Sequence, residues 1–484
     1  MERKNVISNL FWRYGEVTFS QLVALVISIV LARILDPEAY GVVAIVMVFI
    51  GILNVFITSG LGTAIMQKKD PDDLDYSTVF YSNAVLCVVL YGVLFACAPL
   101  IAKFYSNEAL TLMFRVMGIN LIISILKNIQ SSYAAKHLQF KKYFLATFGG
   151  TLVSAGIGIV LAYKGFGAWA LIAQDMSNNV IDTIVLWFVV KWRPKKMFSF
   201  ERLKSLFSYG WKMLLTALID KTYNELRQLL IGKFYSSTDL AFYNRGQGWP
   251  NMLVSNVNTS IDSVMLPVMA SAQDDVETLK SMTRRAMKTS TYVIAPMLMG
   301  FAACGKSIIS ILLTDKWQPS YPYLVIFCIV YMFYPFHTSN LNAIKALGRS
   351  DLFLKLEIIK KIVGILAIII TVRISVMAMA YSLLVTSVLS QIINSWPNKK
   401  LMNYRYLEQL KDILPGIGLA AVMGGCVYCI NFIGLNMWLT LLIQVPLGVV
   451  IYIGGSALFK LEAFTYCLDL VKPFVKKIFK KKNS

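Results

Sequence analysis

Fourteen apolar stretches, each long enough to cross a lipid bilayer, dominate the 484-residue chain. A membrane-spanning helix takes about 20 residues, and inside lipid a helix satisfies its own backbone polar groups. The stretches cover residues 11–34, 41–66, 77–102, 109–135, 143–163, 167–190, 207–234, 240–270, 286–313, 321–344, 351–372, 374–396, 413–433 and 435–459. The sequence therefore predicts an all-α polytopic membrane protein with fourteen transmembrane helices.

The composition agrees with this prediction. A chain that is 57% apolar and 15% charged, with a mean hydropathy of +0.62, is too apolar for an ordinary soluble domain. The short connections leave no room for a large extramembrane catalytic domain, so we do not expect an enzyme. The seven cysteines and two histidines form no metal-ligand pattern, and neither a metal site nor a cofactor is predicted.

The formal charge of +21 would suggest nucleic acid in a soluble chain, but here its placement indicates membrane topology. Most of the 47 Lys and Arg residues lie in the terminal segments and the even-numbered connections. By the positive-inside rule both termini are predicted to be cytoplasmic, and no nucleic-acid partner is expected. The basic tail, 460–484, is predicted to be an amphipathic helix on anionic membrane lipids; a disordered topogenic tail is the alternative.

Two short strings recur at equivalent places in successive six-helix units. LFWRYG at 10–15 opens the first stretch as LFSYG at 206–210 opens the seventh, and AYG and AFY open the second and eighth. Units with an even number of helices share one orientation, so we predict a parallel repeat of two six-helix bundles around a central cavity. The predicted domains are an N-terminal bundle at 1–196, a C-terminal bundle at 197–400, two additional helices at 401–459 and the basic tail.

Charged side chains within the stretches are the most informative residues. Each costs at least about 2.5 kcal/mol at bilayer depth, so it is expected to face a partner or a cavity. In the first stretch, Arg13 and Glu16 form either an ion pair near the interface or part of a cavity lining. In the sixth, Asp175 and Asp182 are seven residues apart and share one face of the helix.

The seventh and eighth stretches are the most polar. The seventh carries Asp220, Lys221, Glu225 and Arg227, which either neutralise one another at i,i+4 spacing or meet a charged solute. The eighth carries a polar stripe that includes Arg245, Asn251, Asn258 and Asp262. Its amides suit sugar hydroxyls and its guanidinium group suits a phosphate, while polar contacts between helices are the alternative.

The region from residue 10 to residue 66 resembles a known family. The motif LARILDPEAYG at 31–41, followed by SGLG at 59–62, is similar to the polysaccharide flippases of the MOP superfamily, the Wzx type and in particular its WzxC/TuaB-like branch. The resemblance implies a multi-pass protein of the bacterial inner membrane. It also implies alternating-access transfer of an undecaprenyl-diphosphate-linked oligosaccharide, for O-antigen or exopolysaccharide, from the cytoplasmic to the outer leaflet.

The family is thought to line its cavity with basic residues from the first, second, seventh and eighth helices. The candidate substrate-binding residues are accordingly Arg13, Lys221, Arg227, Arg245, Asn251 and Asn258. An acid that couples a proton or sodium ion to transport is predicted among Glu16, Asp182, Asp220, Glu225 and Asp262. The expected partners are the lipid-linked oligosaccharide, a polysaccharide polymerase and export proteins.

Two alternatives lie within the same superfamily. A lipid II flippase for peptidoglycan precursors would differ in substrate alone. A cation-coupled multidrug antiporter should have a more aromatic and acidic cavity, and the basic residues of the seventh and eighth stretches argue against it.

Overall fold

The computed structural model describes residues 20–137, 140–469 and 472, and every regular element in them is a helix. The prediction of an all-α chain is confirmed. Eight of the helical segments in this part are long and apolar enough to cross a membrane. The count of fourteen spans and the central cavity stay predictions.

The chain forms two compact units, Met1–Ala241 and Phe242–Ser484. The helices described in the first unit are α1 (Ser20–Ile34), α2 (Pro37–Thr58), α3 (Leu61–Gln67), α4 (Asp73–Phe104), α5 (Ala109–Lys136), α6 (Phe140–Tyr163), α7 (Ala168–Val189) and α8 (Phe200–Phe234). The boundary predicted at residue 196 precedes α8, whereas α8 packs against α2, α3 and α4 within the first unit. The predicted repeat boundaries are therefore not the limits of the compact units.

Helix α9 (Ser237–Ser271) begins in the first unit and continues into the second. The remaining helices of the second unit are α10 (Val276–Leu313), α11 (Tyr321–Met332), α12 (Tyr334–Ala346), α13 (Ser350–Thr371), α14 (Val376–Met402), α15 (Tyr406–Cys429) and α16 (Met437–Leu458). Two short 3₁₀ helices, Asp315–Ser320 and Ile430–Ile433, precede α11 and follow α15.

Side-chain caps mark where several helices begin. Asp72 accepts a hydrogen bond from the backbone N–H of Asp75, and the Asp75 carboxylate accepts one from the Asp72 backbone in return, so the pair forms a capping box at α4. Ser199 caps α8 and Asp275 caps α10, and each side chain accepts one hydrogen bond from a backbone N–H of the first turn. These polar residues fix helix starts that precede the predicted apolar stretches.

Two of the predicted stretches are broken helices. The second is interrupted at Ser59 and Gly60, between α2 and α3, and the tenth at Phe333, where Pro335 occupies the first turn of α12. A proline in the first helical turn loses no hydrogen bond, which explains why α12 starts there. By contrast, α10 continues through Pro296.

Glycines allow α2 and α8 to pack closely in opposite directions. A Cβ atom on Gly41 would lie 1.7 Å from the backbone oxygen of Ser237, just beyond α8, and one on Gly232 would lie 3.0 Å from Ile45. At the other end, a Cβ on Gly210 would lie 2.9 Å from the oxygen of Gly60. The helices thus approach at the distance that small residues permit in membrane proteins.

We expect Gly41→Ala to destabilise the protein by about 1–3 kcal/mol, because the new methyl group meets backbone atoms that cannot rotate away. Thermal unfolding in detergent measures the loss. Gly92→Ala on α4 is the matched control, since a Cβ there meets nothing within 4 Å. Equal unfolding temperatures for the two variants would contradict the close approach of α2 to the Ser237 backbone at the start of α9.

Candidate functional site

A chain of polar side chains joins α5 to α7 in the first unit. Asn120 donates to the carboxylate of Asp175 at 2.9 Å, and Lys127 donates to Asp182 at 2.8 Å and to Asn179 at 3.2 Å. Asn179 in turn donates to Asp175 at 3.3 Å. The Asn120–Asp175 and Lys127–Asp182 contacts each join residues that are 55 positions apart in the sequence. The two helices therefore run in the same direction, with the same offset at both contacts.

Asp182, a predicted ion-coupling candidate, is therefore one half of an ion pair. It is only 3% exposed, and its partner Lys127 comes from a neighbouring helix. Gly150 of α6 packs on the other side, where a Cβ atom would lie 1.9 Å from Asp182 Oδ1. A buried ion pair of this kind is costly to break by removing one partner.

In the middle of α8, one pair of opposite charges is bonded along the helix itself. Lys221 forms an i,i+4 ion pair with Glu225 at 2.6 Å, and Gln228 donates to the same carboxylate at 2.7 Å. The Lys221 side chain is 37% exposed and passes over Gly51 of α2, whose Cβ position is 3.1 Å from Lys221 Cε. Arg227, by contrast, is 8% exposed.

In the second unit, Arg245 lies at the first turns of α9. Its guanidinium carbon is 4.8 Å from the centre of the Trp317 ring, in a cation–π contact with a fully buried aromatic side chain. Gly246 follows directly, and a Cβ atom there would lie 2.5 Å from Tyr323, so α9 packs tightly on the start of α11. The guanidinium group is thus held by a rigid neighbourhood.

Further along α9, the polar stripe meets polar residues of α11 and α12. Gln247 donates to the Tyr331 hydroxyl at 3.0 Å. Asn258 donates to Thr338 at 2.9 Å, and Asn342 donates to Asp262 at 2.8 Å.

The two amides predicted to bind substrate from this stripe differ in exposure. Asn251 is exposed, whereas Asn258 is buried and bonded within the unit. Of the other candidates, Arg13 and Glu16 lie outside the described residues, and Asp220 belongs to the same helix as Lys221.

Sequence reasoning named one side of several contacts and missed the other. Lys127, Trp317, Thr338 and Asn342 are the partners that it did not select. A signal existed only for Lys127, which follows Asn120 by the same seven residues that separate the two acids of α7. Among the described residues, no three His, Cys, Asp or Glu side chains are grouped so as to hold a metal ion.

An ion cluster lies outside the apolar part of α10, at its first turns. Arg284 contacts Asp412 of α15 at 2.6 Å, and Lys288 bonds both Asp412, at 3.4 Å, and Glu462 after α16. The Lys288 hydrogen bond, together with the charges of Lys288 and Arg284, holds the pKa of Glu462 below its ordinary value. Glu462 thus ties the helical residues 462–469, the start of the predicted basic tail, to α10; most of that tail lies beyond the described residues.

The structure has the fold of solved membrane transporters. It superposes on lipid II flippase MurJ in an inward closed conformation with a TM-score of 0.78, covering 93% of this chain and 98% of MurJ at 14% identity. An inward-facing MATE multidrug transporter of the MOP superfamily gives a TM-score of 0.62, covering 79% of this chain and 94% of the transporter at 14% identity. At this identity the likeness concerns the fold alone, which is a multi-pass fold of the MOP type.

The chain belongs to the polysaccharide biosynthesis protein family, whose profile matches residues 30–322. It is 25% identical to the teichuronic acid biosynthesis protein TuaB of Bacillus subtilis over 62% of each chain. It is 22% identical to the succinoglycan biosynthesis transport protein ExoT of Rhizobium meliloti, over 66% of this chain and 65% of ExoT. These two matches therefore span just under two thirds of either relative.

A longer match joins the chain to the lipopolysaccharide biosynthesis protein WzxC of Escherichia coli, at 22% identity over 94% of this chain and 89% of WzxC. The resemblance to Wzx-type polysaccharide flippases, drawn from the motif at 31–41, is confirmed. The protein is a multi-pass membrane protein of the polysaccharide biosynthesis family.

We expect the Glu462 contact to be lost in acid. Because the pKa of Glu462 is lowered in the folded protein, the contact is complete above the ordinary value of 4.5 and disappears as the pH falls through the lower folded value. Fluorescence anisotropy of a dye attached through an unnatural amino acid at Leu468 reports the release. Glu462→Gln should show low anisotropy at every pH; an unchanged acid transition in that variant would assign the release to another group.

Proposed function

We propose that the protein flips an undecaprenyl-diphosphate-linked oligosaccharide from the cytoplasmic to the outer leaflet of the bacterial inner membrane, with both termini in the cytoplasm. The observation that carries the proposal is the set of basic side chains on the two charged helices of the matched region, Lys221 and Arg227 on α8 and Arg245 on α9. A cation at bilayer depth is costly unless it serves a partner, and a diphosphate is a partner of the right charge. The protein would act as a transporter and not as an enzyme.

The contacts of each side chain indicate which part of the substrate it would bind. Lys221 is exposed enough to reach a phosphate as a point charge, although it shares that charge with Glu225. Arg245 presents a planar guanidinium group oriented by Trp317, which suits two parallel hydrogen bonds to a phosphate. Asn251 is exposed and suits sugar hydroxyls, while Arg227 and Asn258 are buried in this conformation.

Transport would proceed by alternating access. The two bundles would rock about the bound head group while the polyprenyl tail stays in lipid. Binding of the diphosphate would compete with the Lys221–Glu225 ion pair, so substrate entry would free a carboxylate on α8. A polysaccharide polymerase and export proteins would receive the product, and anionic lipids would hold the basic tail.

Coupling to a proton or sodium ion is part of the proposal. Among the candidate acids, Asp182 and Glu225 each have a lysine within ion-pair distance, whereas Asp262 accepts hydrogen bonds from the amides of Asn342 and Asn258. An amide supports a carboxylate without neutralising it, so Asp262 has the greater need of a cation.

Removal of the basic groups should impair leaflet transfer. In proteoliposomes loaded with a polyprenyl-diphosphate oligosaccharide, Arg227→Ala and Arg245→Ala should each slow transfer by about tenfold or more, because a hydrogen bond to a charged group contributes about 1.5–3 kcal/mol. Arg227→Lys and Arg245→Lys test charge against shape. Arg349→Ala is the control, since Arg349 pairs with Asp351 in an exposed turn. Unchanged transfer in both alanine variants would remove the substrate-site assignment.

The same vesicles distinguish the alternatives. We expect transfer of the oligosaccharide precursor to exceed that of lipid II, and no efflux of cationic dyes under an ion gradient. Preferred transfer of lipid II would make the protein a peptidoglycan-precursor flippase, and dye efflux would make it a drug antiporter.

Ion dependence is tested with charge-neutral substitutions of the five acids. Asp262→Asn should reduce the response of transfer to an imposed proton or sodium gradient, while Glu225→Gln should chiefly change substrate affinity. If a variant with all five acids neutralised keeps its full ion response, these residues do not couple the ion.

A further inference from the structure

We propose that the α5–α7 interface of the first unit is a proton-binding site, in which Asp175 carries the proton and Lys127 and Asp182 form a fixed ion pair beside it. The site is defined by the hydrogen-bonded series Asn120, Asp175, Asn179, Lys127 and Asp182. Any use of this proton in transport rests on the proposed function, but its presence does not.

The charges at this interface do not balance without a proton. Two carboxylates, Asp175 and Asp182, share one ammonium group, that of Lys127. Lys127 Nζ lies 2.8 Å from Asp182, whereas it reaches Asp175 only through the amide of Asn179. One negative charge therefore remains, and it belongs to Asp175.

The described parts of α6 and α2 that pack on α7 bring no compensating charge. Residues 144–163 of α6 contain no charged side chain, and α2 contains only Glu38, at its first turn. The described partners of the Asp175 carboxylate are the amides of Asn120 and Asn179. Because an unneutralised carboxylate is strongly disfavoured at bilayer depth, a proton on Asp175 is the simplest way to restore neutrality.

An unsatisfied oxygen next to Asp175 points to the same proton. Asn120 is only 2% exposed, and its Oδ1 atom has no hydrogen-bond donor while its Nδ2 atom faces Asp175 at 2.9 Å. Nitrogen and oxygen of an amide are assigned from the surrounding bonds. With Asp175 protonated, the Asn120 amide can turn so that its Oδ1 atom accepts a hydrogen bond from the Asp175 carboxyl group. An ionised Asp175 has no hydrogen to donate and leaves Oδ1 without a donor.

A proton fits this site better than a metal cation. A metal ion needs several oxygens arranged around an open position. Here the polar groups bond directly to one another at 2.8–3.3 Å, which leaves no gap for an ion between them. During transport, rearrangement around α7 would let water reach Asp175 and exchange the proton.

Infrared spectroscopy of the purified full-length protein in detergent at neutral pH tests the site directly, without substrate. A protonated carboxyl group gives a C=O band that a carboxylate lacks. We expect Asp175→Asn to lose one such band relative to the wild type. Asp351→Asn, at an exposed carboxylate paired with Arg349, is the control and should keep it. Asn120→Ala removes the amide that bonds to Asp175 and should shift the frequency of the band, because that frequency depends on the hydrogen bond of the carboxyl group. Retention of the band in Asp175→Asn, or an unshifted band in Asn120→Ala, would overturn the proposal.

Stability distinguishes Asp175 from Asp182. Asn replaces a neutral carboxyl group with a group of similar shape, so Asp175→Asn should keep the wild-type unfolding temperature. Asp182→Asn removes the direct ion-pair partner of Lys127 and should lower it. A larger loss in Asp175→Asn would mean that Asp175 is ionised.

Removal of the lysine tests the charge balance without touching either acid. In Lys127→Met, Asp182 loses its counter-charge and should take up a proton, so the variant should gain a second carboxyl band, and Lys127→Met combined with Asp182→Asn should return to one. An unchanged spectrum in Lys127→Met would contradict the balance. Failed oligosaccharide transfer would leave these spectra unaffected, so the two proposals can fail separately.

Discussion

The absence of water inside the bilayer governs this structure at every level. Backbone polar groups there must bond within the chain, which makes every described element a helix. Side-chain polar groups obey the same rule, and they do so in two ways. On α8 Lys221 finds its partner, Glu225, along the same helix. On α7 and α9 polar side chains find partners on neighbouring helices, such as Lys127 for Asp182 and Asn342 for Asp262.

Much of the fold can be predicted from the sequence because hydropathy is a local property. Each of the helices α1 to α16 overlaps a predicted apolar stretch, and the family indicated by the motif at 31–41 is confirmed. The break at Ser59–Gly60 was not predicted, since apolar residues continue across it, whereas Pro335 is the sequence signal for the break at Phe333. The compact units also differ from the sequence repeats, because α8 packs through glycines against α2. Such contacts depend on the relative position of two helices, which one helix's pattern does not contain.

In the candidate site, too, contacts within one helix can be predicted from the sequence, whereas most contacts between elements cannot. The i,i+4 pairing of Lys221 with Glu225 follows from spacing alone and was among the predicted possibilities. The contact of Arg245 with Trp317 joins residues of different elements and had no signal in the sequence. Between these cases stands Lys127. Its seven-residue separation from Asn120 equals the separation of Asp175 from Asp182, and a comparison of spacings between helices would have paired them. Helix-to-helix pairing becomes predictable only where two polar stripes share a period.

The constant 55-residue offset between α5 and α7 has a mechanical consequence. A slip of one residue along either helix is about 1.5 Å and turns the side chains by about 100°, which would separate both polar contacts at once. The two contacts therefore oppose sliding between α5 and α7, so we expect these helices to move together. Bending within the first unit is then expected in elements that lack two such contacts. The obvious one is α2, where the interruption at Ser59 and Gly60 removes helical hydrogen bonds and supplies a natural joint.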